Sequence, residues 1–182
     1  MSHFKQTIDE LTFKAACKNK TAAQKRIYQV FSTPVYNLVF RITHNQADAL
    51  DICQDVFVKV FRKISQNKSQ DLLGFWIRKI SINTTLSYIK KNAQLITNID
   101  FKEKSIDSNV TETLSSLEFA LSKLPALSRS ILWLYEVEGM SHQEIADIHG
   151  KTISFSKTHL SRAKQMAQKY LTTKGGGYEA VN

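Results

Sequence analysis

Residues Ser141 to Lys164, SHQEIADIHGKTISFSKTHLSRAK, hold the change of character that decides the fold. Up to Gly150 the formal charges are Glu144 and Asp147, both acidic. Ser141 and Glu144 have the spacing of a capping box, so a helix is expected to start there. Ile145 and Ile148 then face inward, and Ala146 is small enough for a second helix to cross closely. Gly150 sits where a left-handed residue would end the helix. Helix, glycine turn and second helix together make a helix-turn-helix pattern. From Lys151 to Leu171 there are five basic residues (Lys151, Lys157, Arg162, Lys164, Lys169) and no acidic ones. This asymmetry fits a second helix lying against DNA, with its N-terminal half at base edges and flanking cations on phosphates. A solvated basic helix in any small bundle would carry the same pattern, so this stretch alone leaves both readings open. His142 and His149 lie seven residues apart, roughly 10 Å of helical rise, too far to share one metal ion. They read as a surface residue and a partly buried one, with no metal site.

Outward from this motif the chain reads as all-α. Four helical patterns fill the C-terminal half, roughly 112–123, 126–138, 142–149 and 153–171, and the tail TTKGGGYEAVN (172–182) is expected to be disordered. Before them, NAQLITNIDFKEKSIDSNVT has weak periodicity and many Asn, Ser, Thr, Asp and Lys. It reads as an interdomain linker over 92–111, with a short ordered piece at Ile99–Phe101. The first 91 residues form a second helical group. DELTFKAAC is a short amphipathic helix. Ile27, Phe31, Val35, Leu38, Val39 and Ile42 follow at helical spacing, with a kink or new helix start at Pro34. THNQADALD turns into a helix over about 47–65 whose apolar set includes Leu50, Ile52, Val56, Phe57, Val60, Phe61 and Ile64. A polar loop, SQNKSQD, precedes a last helix, LLGFWIRKISINTTLSYIKK. The expected architecture is two small helical domains, 1–91 and 112–171, joined by a flexible linker.

Composition narrows the partners. The 182 residues carry a formal charge of +9, which favours a polyanion, because counterions released from phosphates reward Lys and Arg. MSHFKQTIDE lacks the apolar core of a signal peptide, and no apolar run approaches membrane-spanning length, so neither export nor membrane insertion is expected. Cys17 and Cys53 sit in apolar helical patterns without CxxC spacing and read as buried free thiols in a reducing cytoplasm. There is no Walker-type glycine loop, no His/Cys metal spacing and no nucleophile–base pair, so neither enzyme nor cofactor is expected.

Asp48, Asp51 and Asp55 recur at three and four residues, which puts their carboxylates on one helical face with Gln54 beside them. That is the pattern of a solvated acidic edge, and equally of a protein-docking site beside aromatic side chains. From Arg62 to Lys91 the balance reverses, with seven basic residues against one acidic, Asp71. Phe75 and Trp76 adjoin Arg78 and Lys79, with Lys90 and Lys91 further on. Bases unstacked from a duplex need aromatic faces, and their phosphates need cations. Trp76, at helical spacing with Ile77 and Ile80, reads either as core or as such a face.

The segment LPALSRSILWLYEVEGMSHQEIADIHGKTISFSKTHLSRAKQMAQKYL resembles region 4 of bacterial sigma factors of the sigma-70 family, especially the extracytoplasmic-function (ECF) group. Leu124-Pro125, Glu138-Gly139, Glu144-Ile145-Ala146, Gly150, Lys157, Leu160 and Arg162-Ala163 all fall in its register. The resemblance implies a domain that reads the −35 promoter element through Lys157, Thr158, Ser161 and Arg162, with Lys164 among the flanking cations. His149, Lys151 and Ser156 stand where the family has apolar residues. An unpartnered buried polar group costs kilocalories, so Ile153 and Phe155 are expected to turn inward in compensation. DALDICQDVFVKVFRKI is similar to region 2.2, which grips the coiled coil of the largest polymerase subunit. Asp51, Gln54 and Asp55 match it residue by residue, and Phe57 and Phe61 match in type while fitting a core role equally. The stretch from Ser65 to Lys91 looks like regions 2.3 and 2.4, which recognise the −10 element and hold its unpaired strand. That implies roles for Asn67, Lys68, Phe75, Trp76, Arg78, Lys79, Asn83, Lys90 and Lys91. The acidic residue often found four positions after the asparagine is here Ser87.

The resemblance implies an initiation subunit whose partners are RNA polymerase core (its beta-prime coiled coil and beta flap), promoter DNA in duplex and single-stranded form, and an anti-sigma factor. A stand-alone helix-turn-helix regulator and a small helical RNA-binding or scaffold protein are the competing readings. Docking on core polymerase separates the first from both.

Overall fold

A computed structural model describes residues 4–67, 69–96 and 116–175. Among them there are helices and no strands, and the chain divides into two compact units, Met1–Lys90 and Lys91–Asn182.

In the first unit an extended arm from Phe4 leads to α1 (Glu10–Cys17), started by Asp9, whose carboxylate accepts from the Thr12 N–H at 2.8 Å. α2 (Thr21–Thr43) and α3 (Gln46–Lys63) pack side by side, with α1 against α2. α2 runs on through Pro34, where a kink or new start was expected. Pro34 is buried between Phe31 and Val35, and tertiary packing outweighs the one backbone bond that proline removes. α2 ends at His44, in the left-handed region at φ 54°, and Asn45 caps α3 by accepting from the Asp48 N–H. Two short 3-10 turns, Ile64–Gln66 and Gln70–Leu72, replace most of the expected loop. α4 (Leu73–Ile96) follows and extends beyond Lys91 into the stretch read as linker. Ile27, Phe31, Val35, Val39, Ile42, Ile52, Val56, Val60 and Ile77 are all buried to within 1%. Each such side chain stabilises the fold by about 1.5–3 kcal/mol.

The second unit holds α5 (Ser116–Ser122), α6 (Ala126–Glu136), α7 (His142–His149) and α8 (Ile153–Gly175), with α5, α6 and α7 each packed on α8. α8 continues to Gly175, past the expected start of a disordered tail at Thr172. The expected ordered piece at Ile99–Phe101 and the remaining tail lie outside the described residues. Ile131, Leu134, Ile145 and Ala163 are fully buried at the centre. Arg129 is buried with them. Its Nη1 donates to the carbonyls of Leu121, Ser122 and Leu124 at 3.2–3.3 Å, where α5 ends and the chain turns towards α6. Burial pulls its pKa down to about 10. Cys53 is buried and Cys17 only half-buried, and both are free thiols whose pKa burial raises.

Candidate polymerase and nucleic-acid interfaces

On α3 the inward stripe is Ala49, Ile52, Cys53, Val56, Phe57 and Val60. The outward side presents Asp51, Gln54 and Asp55, all exposed, as the spacing predicted. Asp48, on the same edge, is taken up internally by the Tyr88 hydroxyl, which donates to its Oδ1 at 2.7 Å. For Phe57 the structure takes the core side of the two readings the sequence left open. It is 3% exposed, its ring 4.7 Å from that of Tyr28 and 5.8 Å from that of Phe61, so it supports the face from beneath. Phe61 is half-buried. Leu50, placed in the apolar set of this helix, and Val58, given no part, are 49% and 66% exposed. They stand at i and i+8 with Gln54 between them, an apolar line alongside Asp51 and Asp55. The signal was present: apolar residues of this helix span more than one face, so some had to point outward.

α4 buries Leu73, Ile77, Ser81, Ile82 and Thr85. The buried hydroxyls are satisfied within the helix, Ser81 Oγ donating to the Ile77 carbonyl and Thr85 Oγ1 to that of Ser81, both at 2.8 Å. Lys59 Nζ donates to Thr84 Oγ1 at 3.2 Å and ties α3 to α4. The opposite side carries Phe75, Lys79, Asn83, Ser87 and Lys90, all exposed and successive at nearly one helical turn, with Lys91 beside the last. Trp76 and Arg78 flank the row half-buried. The Ser87 hydroxyl donates to the Asn83 carbonyl at 2.8 Å. Before the helix, Asn67 is half-buried and its Nδ2 donates to the Ser69 carbonyl at 3.0 Å, so its amide braces the loop. Lys68 lies outside the described residues. Leu72, which sequence reasoning passed over, is 58% exposed next to this row.

In the second unit the capping box forms: the Ser141 hydroxyl accepts from the Glu144 N–H, and the Glu144 carboxylate accepts from the Ser141 N–H at 2.8 Å. Gly150 ends α7 at φ 61°, where a Cβ would meet nothing, so the backbone conformation alone favours glycine. Ile145 and Ala146 are buried as expected, while Ile148 is half-buried. On α8, Lys157, Thr158, Ser161 and Arg162 share the exposed side, and Ser156, Leu160 and Ala163 the buried one. Lys164 is exposed but ion-paired, its Nζ 2.6 Å from Glu136 Oε1 and 6.0 Å from the Tyr135 ring centre. Part of its charge is therefore directed at α6.

The turn is repacked by hydrogen bonds and rings, and the expected inward turn of Ile153 does not occur. Ser156 is fully buried, its Oγ 3.0 Å from Nδ1 of His142. His142 is therefore no simple surface residue; its ring stacks on Tyr135 at 4.5 Å. Phe155 does turn partly inward, between His149 at 5.9 Å and His159 at 4.4 Å. Ile153 remains 41% exposed. His149 Nε2 is buried without a hydrogen-bond partner among the described residues. Burial first, then neighbouring His159, lowers its pKa; burial and then Arg162 lower that of His159.

Residues 27–94 match the family model described as Sigma-70 region 2, and residues 114–166 match Sigma-70, region 4. The chain belongs to the sigma-70 family, in its extracytoplasmic-function group. It is 29% identical over 141 residues to RNA polymerase sigma factor SigV of Bacillus subtilis (strain 168), covering 75% of this chain and 84% of that one. It is 26% identical over 147 residues to ECF RNA polymerase sigma factor SigE of Mycolicibacterium smegmatis, covering 75% of this chain and 57% of that protein. Among solved structures, the sigma factor RpoE in complex with the anti-sigma factor NepR from Bartonella quintana shares the fold. The TM-score is 0.57 at 22% identity, over 81% of this chain and 96% of that one. As a sigma factor, the protein is a transcription initiation factor acting with RNA polymerase core and promoter DNA. α3 and all but the last two residues of α4 thus fall within region 2, and α7 with the first half of α8 within region 4. No helix among the described residues is long and apolar enough to cross a membrane.

Proposed function

We propose a division of labour among three helix faces of this sigma factor. The outer side of α3 docks on core polymerase at the beta-prime coiled coil, with Asp51, Gln54 and Asp55 as polar contacts and Leu50 and Val58 as apolar ones. Phe61 packs at its margin over buried Phe57. The outer side of α4, with Trp76, Arg78, Lys91 and the preceding Asn67 and Lys68, holds the unpaired −10 strand. The outer side of α8 reads −35 duplex through Lys157, Thr158, Ser161 and Arg162, with Lys164 at its edge, while the same unit meets the beta flap. The observation that carries the reading is the exposed row Phe75–Lys79–Asn83–Ser87–Lys90: an aromatic face followed by cations, on a helix whose other side is anchored in the core. Bases stack on such a face and phosphates run along such cations. Strand opening is driven by binding energy for the extruded bases, without nucleotide hydrolysis. The protein works in the cytoplasm, where an anti-sigma factor, as bound by RpoE of Bartonella quintana, restrains it.

The test is transcription in vitro with purified core enzyme and a promoter library, followed by start-site mapping. Defined starts that appear with the protein and vanish with Phe75→Ala and Lys79→Ala are expected. Core enzyme that finds no defined start in its presence would refute the reading.

A further inference from the structure

Gly74 is buried in the first turn of α4. A Cβ placed there would lie 2.0 Å from the backbone oxygen of Phe4 and 3.1 Å from Cε1 of Phe31. Phe31 is a side chain and could give by a few tenths of an ångström. The Phe4 oxygen belongs to the backbone, so a methyl at position 74 is compatible only with a displaced arm. The arm is well anchored. Phe4 is 3% exposed and Ile8 5%, while Lys5, Gln6 and Thr7 between them are exposed, and Asp9 passes directly into the cap of α1. The close approach is therefore made by a segment fastened at both ends, and it falls on the turn that presents Phe75 and Trp76.

A first helical turn has backbone N–H groups without intrahelical acceptors and frays more readily than a helix centre. The 3-10 turn and loop before α4 are held locally by short-range bonds, Asn67 to Ser69 and Asp71 to Ser69. Burial of Phe4 and Ile8 fixes the arm, and the arm brings the Phe4 backbone, from a distant part of the sequence, against Gly74 in this turn. A face fixed in advance has less freedom to lose when it binds an unpaired strand.

We propose that the arm Phe4–Ile8 is a working part of the strand-holding surface, and that Gly74 is the positioning residue through which it sets the first turn of α4. This rests on the reading of α4 as the −10 face. Lys5, exposed on the arm, adds a cation to that end of the unit.

The experiment uses the full chain with core polymerase and one promoter recovered from the library. Docking is followed by fluorescence anisotropy and −10 unpairing by 2-aminopurine fluorescence. The variants are Gly74→Ala, deletion of residues 1–8, the two combined, and Phe75→Ala. Gly74→Ala and the deletion should each slow unpairing roughly ten- to a hundredfold, the scale of a small misplacement at a reacting surface. Docking should stay at the wild-type level, since its face lies on α3. The combination should be no worse than the deletion, because the added methyl then meets only the Phe31 ring, a side chain that can give by a few tenths of an ångström. Should the truncated chain not fold, Phe4→Ala, which loosens the arm but keeps its backbone, replaces it. Unpairing and docking that fall together would mean a purely structural arm and overturn the proposal. So would losses that multiply in the combined variant, or wild-type unpairing by Gly74→Ala while Phe75→Ala is impaired. If Phe75→Ala is also without effect, the −10 reading of α4 fails, and the proposal with it.

Discussion

The outer faces of α3 and α8 are alike in exposure and opposite in charge, and they differ most in what lies beneath them. Asp51, Gln54 and Asp55 stand on a floor of Ile52, Val56, Phe57 and Val60, an apolar layer that owes its stability to burial alone. Lys157, Thr158, Ser161 and Arg162 stand on a floor that includes Ser156 bonded to His142, and the nearby turn packs His149 and His159 around Phe155. An apolar floor tolerates volume-conserving change, whereas a polar one depends on particular partners and on their protonation. The proposed docking face should thus fail only when its own exposed side chains are altered, while the proposed duplex-reading face should also fail from below.

Ways to break this comparison can be ranked by size. Asp51→Lys with Asp55→Lys places like charge where opposite charge is required, which costs several kcal/mol. Core binding by anisotropy should be lost while α8 keeps its duplex affinity; retained core binding would remove α3 from the docking role. Arg129→Met leaves three carbonyls of the second unit without their charged donor. It should cost roughly 2–3 kcal/mol in urea unfolding of that unit and leave the first unit unaffected. Arg162→Ala should lower −35 discrimination by about 1–3 kcal/mol if the side chain reaches a base edge, whereas an equal loss on all duplexes would confine it to phosphate.

A smaller effect sharpens the contrast between the two floors. Ser156→Ala alone should cost about 1 kcal/mol, because it strands His142 Nδ1, and His142→Phe a similar amount. The two together should cost less than the sum of the single changes, and strict additivity would show that the bond contributes nothing. The smallest effect is one of pH. His149 and His159 have folded-state pKa values below the ordinary 6.5, so the unfolded chain binds protons first as the pH drops. Their contribution is fully present above 6.5, declines as the pH falls below it, and is gone once the pH has passed the depressed folded values. Melting of the second unit between pH 7.5 and 5 should show this decline, and His149→Leu should flatten it. An unchanged slope would assign the pH dependence to other groups.

Much of the architecture could be read from local pattern. The capping box at Ser141, the left-handed Gly150 and the reversal of charge across them specify the helix-turn-helix within a dozen residues, because each is a rule about neighbours in sequence. Asp51 and Asp55 of α3 are exposed on one side, as charge at helical spacing defines a face, whereas Asp48 of the same set is taken up by Tyr88. The choices left open were those where a face had to be divided between core and solvent. Phe57 and Leu50 are both apolar residues of one helix. Which of them is buried depends on where Tyr28 of α2 comes to rest.

What the amino-acid order determined by itself was the sequence of helices, their caps, and the sign of charge each presents. Those follow from hydrogen bonds and spacings within a few residues. The tertiary structure decided that Ser156 would be buried against His142, that Ile153 would stay outside, and that the carbonyl of Phe4 would lie against Gly74. Each of these joins residues from different elements, and the position 70 residues along the chain where Phe4 finds its partner is written in no local pattern. Packing is a contest among all side chains at once, and its outcome exists only when the whole core is assembled.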